Sequence, residues 1–286
     1  MGCEIRLVTV AYKSGTRLRG LLDSLKNATS RPLHVVVVDN SPAPDAAVAA
    51  LCSSHGAEYR SRPDNPGFGV SNNFGSDLDD TAATEQWVLL ANPDIEFPPG
   101  SIDALIAAAK TYPDAVLYGP ALIDKSGKRY PTGRAFPYFS IGIGHAVFGK
   151  LWTRNPWTKR YWGTAWQKRE IAEVDWISGA CILVRRSDWI RLGGFDERYF
   201  MYFEDTDLGL RAGRLRGGGV KLIGNVEVIH NQGGSTTDVG GKQDLRALRA
   251  HHESALLFLN RLYGRHPLLP FIAAGLRVRR WLLSRR

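Results

Sequence analysis

Four consecutive valines, Val35 to Val38, running into Asp39 do most to limit the folds open to this chain. Successive strand side chains point to opposite faces of a sheet, so an unbroken β-branched run has to be buried on both faces. Sheets covered on both sides are built mainly of parallel strands, because each parallel connection crosses back over the sheet, usually as a helix. The neighbouring sequence supplies such crossovers. A strand pattern at 5–10 (IRLVTV) precedes a helical repeat of Leu18, Leu21, Leu22 and Leu25. After Asp39 the pattern predicts a helix over 45–54, a short strand ending near Tyr59, a helix opening near Phe68 and a buried strand at 87–90 (WVLL). A further helix covers 101–110, with Gly100 or Ser101 near its N-cap. This order predicts the α/β class, with a mostly parallel central sheet and helices on both faces.

Beyond residue 130 the alternation stops. The stretch 130–170 is rich in Trp, Tyr, Phe, Gly, Pro and Arg and has no clear period. A loop of that length in a compact domain is usually a lid or binding loop. Strands are expected again at 173–177, 181–185 and 226–230, with a helix over 208–215 and a helical tail from Leu245. We therefore expect one catalytic or binding domain over 1–240 and a helical extension over 241–286.

Charge separates these two parts. The chain carries +9, but residues 242–286 hold ten Lys/Arg against two Asp/Glu, leaving 27 basic and 26 acidic groups in the other 241 residues. A nearly neutral body excludes a nucleic-acid-binding face. Three cysteines, with no CxxC pair, fit a reducing cytosol better than a disulfide framework or zinc site. Neither a secretory signal nor an apolar run long enough to span a bilayer is evident, 268–276 being about half of one. The tail pairs Leu268, Leu269, Phe271, Ile272, Leu276, Trp281, Leu282 and Leu283 with Arg277, Arg279, Arg280, Arg285 and Arg286. That mixture suits either an amphipathic helix on an anionic membrane or a helix docked on the body with its basic face in water.

Chemistry concentrates in 193–207, GGFDERYFMYFEDTD, where five carboxylates lie among aromatic side chains. Burying such a carboxylate is costly without compensation, and a carboxylate held at a pocket wall is suited to act as a base. Asp207 also reads as an acid favouring a helix N-terminus, and Glu204 reads similarly. In open parallel sheets ligands bind beyond the carboxyl ends of the strands. That edge should carry Thr9 and Tyr12 after the first strand, Asp39 in DNSP, and Asp94 in ANPD. Asp39 suits either a nucleotide contact or a turn-starting role. The segment 65–75 (NPGFGVSNNFG) is a glycine turn feeding a helix, with neither P-loop nor dinucleotide-binding spacing. Asp94 suits a hard divalent cation beside a diphosphate, and His230 at the end of VEVIH offers an imidazole to the same ion.

With ANPD, SGACILVRR (178–186) and GGFDERYFMYFEDTDL in order, residues 4–235 resemble the inverting glycosyltransferases of family 2, which have the GT-A fold. NPD in place of a DXD motif is similar to the rhamnosyltransferase branch. HAVFGKLWTRNPWT (145–158) resembles the actinobacterial enzymes that rhamnosylate polyprenyl-diphosphate-linked GlcNAc in arabinogalactan synthesis. The resemblance implies Asp205 as general base and Mg²⁺ or Mn²⁺ held by Asp94 and His230, with Asn92 standing where the family has another acid. It implies nucleotide-sugar contacts from Thr9, Val10, Tyr12, Asp39, Asn65, Gly67, Asn72, Asn92 and Asp94. Acceptor contacts are implied for Trp176, Gly179, Tyr202 and Glu204. The donor would be dTDP-rhamnose, and the enzyme would work in the cytoplasm at the inner face of the plasma membrane. A sugar-1-phosphate nucleotidyltransferase is the competing enzyme class, but TVAYKSGTRL lacks the glycine-rich phosphate loop it needs. A non-catalytic relative that binds membranes is the other alternative.

Overall fold

The valine run sits at the centre of a half-sheet assembled from β1 (Ile5–Ala11), β2 (Leu33–Asp39), β3 (Glu58–Ser61) and β4 (Trp87–Ala91), linked through α1 (Gly15–Ala28), α2 (Ala46–Ser54) and α3 (Phe68–Gly75). The computed structural model describes residues 4–80, 83–139, 141, 152, 155–216, 219–231 and 245–283. The chain continues through β5 (Ile95–Glu96), α4 (Ser101–Thr111), β6 (Leu117–Ile123), β7 (Gly133–Arg134) and α5 (Pro156–Tyr161). There follow β8 (Ile171–Val174), β9 (Trp176–Ile177), β10 (Cys181–Arg185), α6 (Arg186–Leu192), α7 (Glu204–Arg216), β11 (Val220–His230), α8 (Leu245–Tyr263) and α9 (Leu269–Leu283).

Among the described residues, nine strands form one sheet in the order β3-β2-β1-β4-β10-β6-β11-β5, with β8 also on β11. β1, β2, β3, β4, β6 and β11 share one direction; β10 runs against β4 and β6, and β5 and β8 run against β11. The sheet is thus mostly parallel, as expected. Val35 and Val37 pack with α1, α2 and α4 on one face, while Val36 and Val38 enter the core on the other. Burial on both sides is what the valine run required. Gly75 lets α3 lie against that second face, because a Cβ there would come within 2.5 Å of Val8.

Several boundaries differ from the sequence expectation. The third strand runs on to Ser61 rather than ending near Tyr59, and β11 begins at Val220 rather than 226. The strand expected at 173–177 is two strands in two sheets: β8 pairs with β11 and β9 with β7. The break falls at Asp175, whose side chain turns to accept the Phe136 N–H at 2.7 Å. α6 is a helix the sequence pattern does not announce, being too short to show a period. α7 starts four residues ahead of Leu208, so Glu204, Asp205 and Asp207 form its first turn.

The tail is part of the packing. Phe258 of α8 is fully buried in a cluster with Phe136, Trp176 and Tyr199, and Tyr263 stacks on Phe139 with ring centroids 3.8 Å apart. α9 packs on α8 and leaves Phe271 75% exposed. The segment 145–154, apart from Trp152, lies outside the described residues, as do Arg285 and Arg286.

Candidate active site

At the carboxyl edge of the parallel strands, the donor-side residues named above occupy different depths. Asp39 is 1% exposed; its Oδ1 accepts the Ser41 N–H at 3.0 Å and its Oδ2 accepts the Tyr59 hydroxyl at 2.9 Å. Both oxygens therefore serve the local turn. Thr9 is fully buried, with an Oγ1 that meets no hydrogen-bond partner. Val10 is half-buried and Tyr12 exposed. Asn65 has φ +40° and accepts from Asn40 Nδ2 at 3.2 Å, while Asn40 in turn accepts from Ser71 Oγ at 2.8 Å. Asn72 turns back onto its own helix, donating to the Phe68 carbonyl at 2.9 Å. Its neighbour Asn73 makes the longer reach, exchanging hydrogen bonds with the Phe195 backbone at 2.9 and 2.8 Å.

Gly67 joins the two halves of the site. Its φ is +105° and a Cβ would sit 2.2 Å from the Phe200 carbonyl oxygen, which accepts the Phe68 N–H at 3.1 Å. The glycine turn thus rests on the chain that leads to Glu204 and Asp205. That chain enters α7 through Tyr202 and Phe203, at φ +69° and +64°. Two consecutive left-handed aromatic residues cost on the order of 1–2 kcal/mol each. They aim the first turn of α7 inward.

Asp94 and His230 meet, with Oδ1 and Nε2 3.3 Å apart. The contact lacks hydrogen-bond alignment, and Asp94 Oδ1 and His230 Nδ1 are buried without a hydrogen-bond partner. An orphaned carboxylate oxygen beside an imidazole fits a divalent cation. Among the described residues no cluster of three or more His, Cys, Asp or Glu side chains accompanies them, so diphosphate oxygens and water would complete the shell. Asn92 contributes through its backbone, donating to the Ala180 carbonyl at 2.8 Å; this ties the ANPD turn to the SGAC segment.

SGAC also holds Asp205. The Gly179 N–H donates to Asp205 Oδ2 at 3.0 Å, and the Thr206 N–H to Oδ1 at 2.7 Å. Burial raises the Asp205 pKa, while Gly179, the Arg134 charge and Thr206 pull it back. Glu204 has less support: burial and the Asp205 charge push it up to about 8 against a single hydrogen bond from its own backbone N–H, and its Oε2 meets no partner. Two adjacent buried carboxyls do not both ionise near neutrality. The donors around Asp205 leave the negative charge there and the proton on Glu204.

Arg134 is not legible from local pattern. It is 9% exposed, donates to the Pro131 carbonyl at 2.8 Å and to the Tyr130 hydroxyl, and lies over the rings of Tyr130, Trp162 and Trp176 at 4.6–5.1 Å. Those rings come from three segments, so no spacing announces them. Trp176, expected at the acceptor, is buried and donates to the Ala135 carbonyl at 2.9 Å. Tyr130 also meets His230 edge-on, at 5.7 Å. Arg134 thus acts on Asp205 through its charge and shares the Tyr130 ring with His230. Asp207 supports the frame by accepting from Arg211 and Arg261, both at 2.7 Å.

Protonated Glu204 has a consequence for stability. Between its ordinary value of 4.5 and about 8, the folded protein holds a proton that the unfolded chain has released, so this group's contribution declines as pH rises through that window. Glu204→Gln removes the titration. Its melting temperature should exceed wild type by about 5 °C at pH 8 and converge with it near pH 4.5. Thermal unfolding across pH checks this; a pH-independent difference would contradict a protonated Glu204.

Known proteins are similar to this chain to different extents. N-acetylglucosaminyl-diphospho-decaprenol L-rhamnosyltransferase of Mycobacterium tuberculosis is 39% identical over 262 residues, covering 88% of this chain and 83% of that protein. Rhamnosyltransferase WbbL of Escherichia coli K12 is 30% identical over 213 residues, 72% of this chain and 76% of that one. Among solved structures, S. aureus TarS 1–349 in complex with UDP superposes at TM-score 0.56 with 13% identity, over 90% of this chain and 66% of that chain. GalNAc-T7 with UDP, GalNAc and Mn²⁺ gives 0.58 with 13% identity, over 80% and 44%. At such identities the structures speak for the fold alone, which is GT-A. Residues 7–189, from β1 to the middle of α6, match the profile of Glycosyl transferase family 2, and the chain accordingly belongs to that family and is a glycosyltransferase.

Proposed function

We propose that this enzyme transfers L-rhamnose from dTDP-β-L-rhamnose to a polyprenyl-diphosphate-linked GlcNAc, with inversion. The observation that carries the reading is the buried Asp205 carboxyl, held by the N–H groups of Gly179 and Thr206. The 39% identity to the M. tuberculosis enzyme supports the choice of substrates.

In this mechanism Asp205 accepts the proton of an acceptor hydroxyl as the oxygen attacks the anomeric carbon opposite the nucleotide. One displacement inverts that centre. Asp205 needs the pair's single negative charge for this, and protonated Glu204 beside it is placed to donate to an acceptor oxygen. The positive end of the α3 dipole would favour a diphosphate near its N-terminus, although the Phe68 N–H itself is taken by the Phe200 carbonyl. Asp94 and His230 would hold Mg²⁺ or Mn²⁺, which when bound neutralises charge building on the departing nucleoside diphosphate. Thr9, Val10, Tyr12, Asn65 and Asn92 line the nucleotide-sugar side in this reading, with Asp39 and Asn72 supporting the turns beneath. Gly179 and Tyr202 would form the acceptor side, with buried Trp176 supporting it from beneath. A screen of nucleotide sugars against lipid-diphosphate-GlcNAc tests the reading. dTDP-rhamnose should give the highest kcat/KM; transfer from another donor, with none from dTDP-rhamnose, would overturn the substrate assignment.

The acceptor's lipid calls for the membrane. Among the described residues no helix is long and apolar enough to cross one. Leu268, Phe271 and Val278 are exposed on or beside α9, next to Arg277, and support a peripheral association at the cytoplasmic face. α8 is docked on the body, so truncation after Gly264 removes α9 while sparing that contact. The truncated protein should lose flotation with anionic liposomes; unchanged flotation would count against this role.

A further inference from the structure

A groove of about 500 Å³ separates residues 198–200 from α8, lined by Arg198, Phe200, Arg246, Arg249, Glu253 and Leu257 among others. Its lining carries three arginines and one carboxylate, Glu253, with Asp196 behind Arg198. Arg198 is oriented by a two-pronged contact with Asp196, at 2.9 and 2.6 Å, and Asp196 is itself anchored by Arg261 at 2.7 Å. Arg249 meets Glu253 at 2.7 Å. That pair is exposed, one helical turn apart, and of the kind worth only a few tenths of a kcal/mol. It yields readily to a multiply charged anion, for which arginine's planar fork is well matched.

The groove also has an apolar part. Phe200 is 44% exposed, and Leu257 lies on the opposite wall. Arginines beside an aromatic ring and a leucine suit an amphiphile, with phosphates at one end and hydrocarbon at the other. The position is equally specific. Phe200 offers its carbonyl to the donor-side turn at Phe68, Ser254 of α8 holds the Met201 carbonyl at 2.9 Å, and Asp205 follows five residues after Phe200, within ~18 Å even for extended chain. On the far side α8 leads to the exposed apolar face of α9.

We infer that this groove binds the diphosphate of the prenyl-linked acceptor, with Arg198, Arg246 and Arg249 on the phosphate oxygens and Phe200 and Leu257 against the first isoprene carbons. The inference rests on the acceptor reading above and assigns its phosphate subsite. An anionic phospholipid headgroup shares the phosphate chemistry, so the test separates the two.

Arg246→Gln/Arg249→Gln changes two exposed positions on α8, and its melting temperature serves as the folding control. Binding of farnesyl diphosphate, farnesyl monophosphate and farnesol in neutral detergent is measured by calorimetry for both proteins. Wild type should prefer the diphosphate, and the double variant should bind it at least tenfold more weakly with little change for farnesol. Equal wild-type affinity for diphosphate and farnesol, or an unchanged diphosphate affinity in the variant, would overturn the inference. A variant defect confined to vesicles of anionic phospholipid, absent in neutral detergent, would assign the arginines to membrane headgroups and also overturn it. In transfer assays with prenyl-diphosphate-GlcNAc the acceptor KM should rise at least tenfold with a smaller change in kcat. If wild type transfers to no such acceptor yet binds farnesyl diphosphate through these arginines, the acceptor identity fails while the subsite stands.

Discussion

Replacing Asp205 by Asn is expected to leave the protein folded and to lower sugar transfer by about 10²–10⁴-fold, the usual worth of a general base. Asn has the same shape and retains one oxygen to accept from Thr206 or Gly179. It loses the charge and basicity that the acceptor hydroxyl needs. Removing a buried charge offsets part of the cost of the one backbone N–H left without an acceptor, about 1–3 kcal/mol. The measurement is initial rate with saturating donor and acceptor, alongside the melting temperature and nucleotide affinity. Turnover near wild type in a folded Asp205→Asn protein would remove Asp205 from the mechanism. Asp207, only two residues away, has a structural role instead. Arg211, Arg261 and Tyr199 all converge on it, fastening α7 to α8.

The second large effect is expected at Gly67, which touches neither proposed catalytic group. Ala at φ +105° is strained, and its Cβ would lie 2.2 Å from the Phe200 carbonyl oxygen. Backbone is not a flexible neighbour, so the turn or the 200–203 segment has to move. A displacement of about 1 Å at a reacting centre can cost about 10²-fold in rate. Gly67→Ala should therefore lose about that much transfer and also melt at a lower temperature. Gly56→Ala is the control, because Gly56 is also left-handed at φ +65° but has nothing within 4 Å of its Cβ position. It should cost on the order of 1 kcal/mol in stability without altering transfer. Equal behaviour of the two variants would mean that the Gly67–Phe200 contact does not hold the site.

Local pattern carried far in some places and stopped abruptly in others. Val35–Val38 and Trp87–Leu90 declare strands buried on both faces, because every residue in them is apolar. ANPD declares a site because polar residues stand directly after such a strand. The meeting of Asp94 and His230 follows from their places at strand ends, although 136 residues separate them. Arg134 gives no such signal, since its aromatic surroundings are gathered from 130, 162 and 176. Asn72 and Asn73 are adjacent and alike in sequence, yet one turns back onto its own helix and the other grips Phe195. Their difference is one helical step of about 100°, which composition does not record. Asp175 splits a strand for a similar reason, its partner Phe136 lying on a distant loop.

The α/β order, the mostly parallel sheet and the short list of candidate carboxylates can be read from the residue pattern. Runs of apolar residues, and the polar residues that end them, are written along the chain. The surroundings that distinguish those carboxylates arise from the fold. Gly179 and Arg134 arrive from other segments to offset the burial of Asp205, Glu204 has only its own backbone N–H against the same penalty, and Asp207 is taken by Arg261 of the tail. Burial and hydrogen-bond partners set a carboxylate's chemistry, and both are supplied by residues far away in the chain.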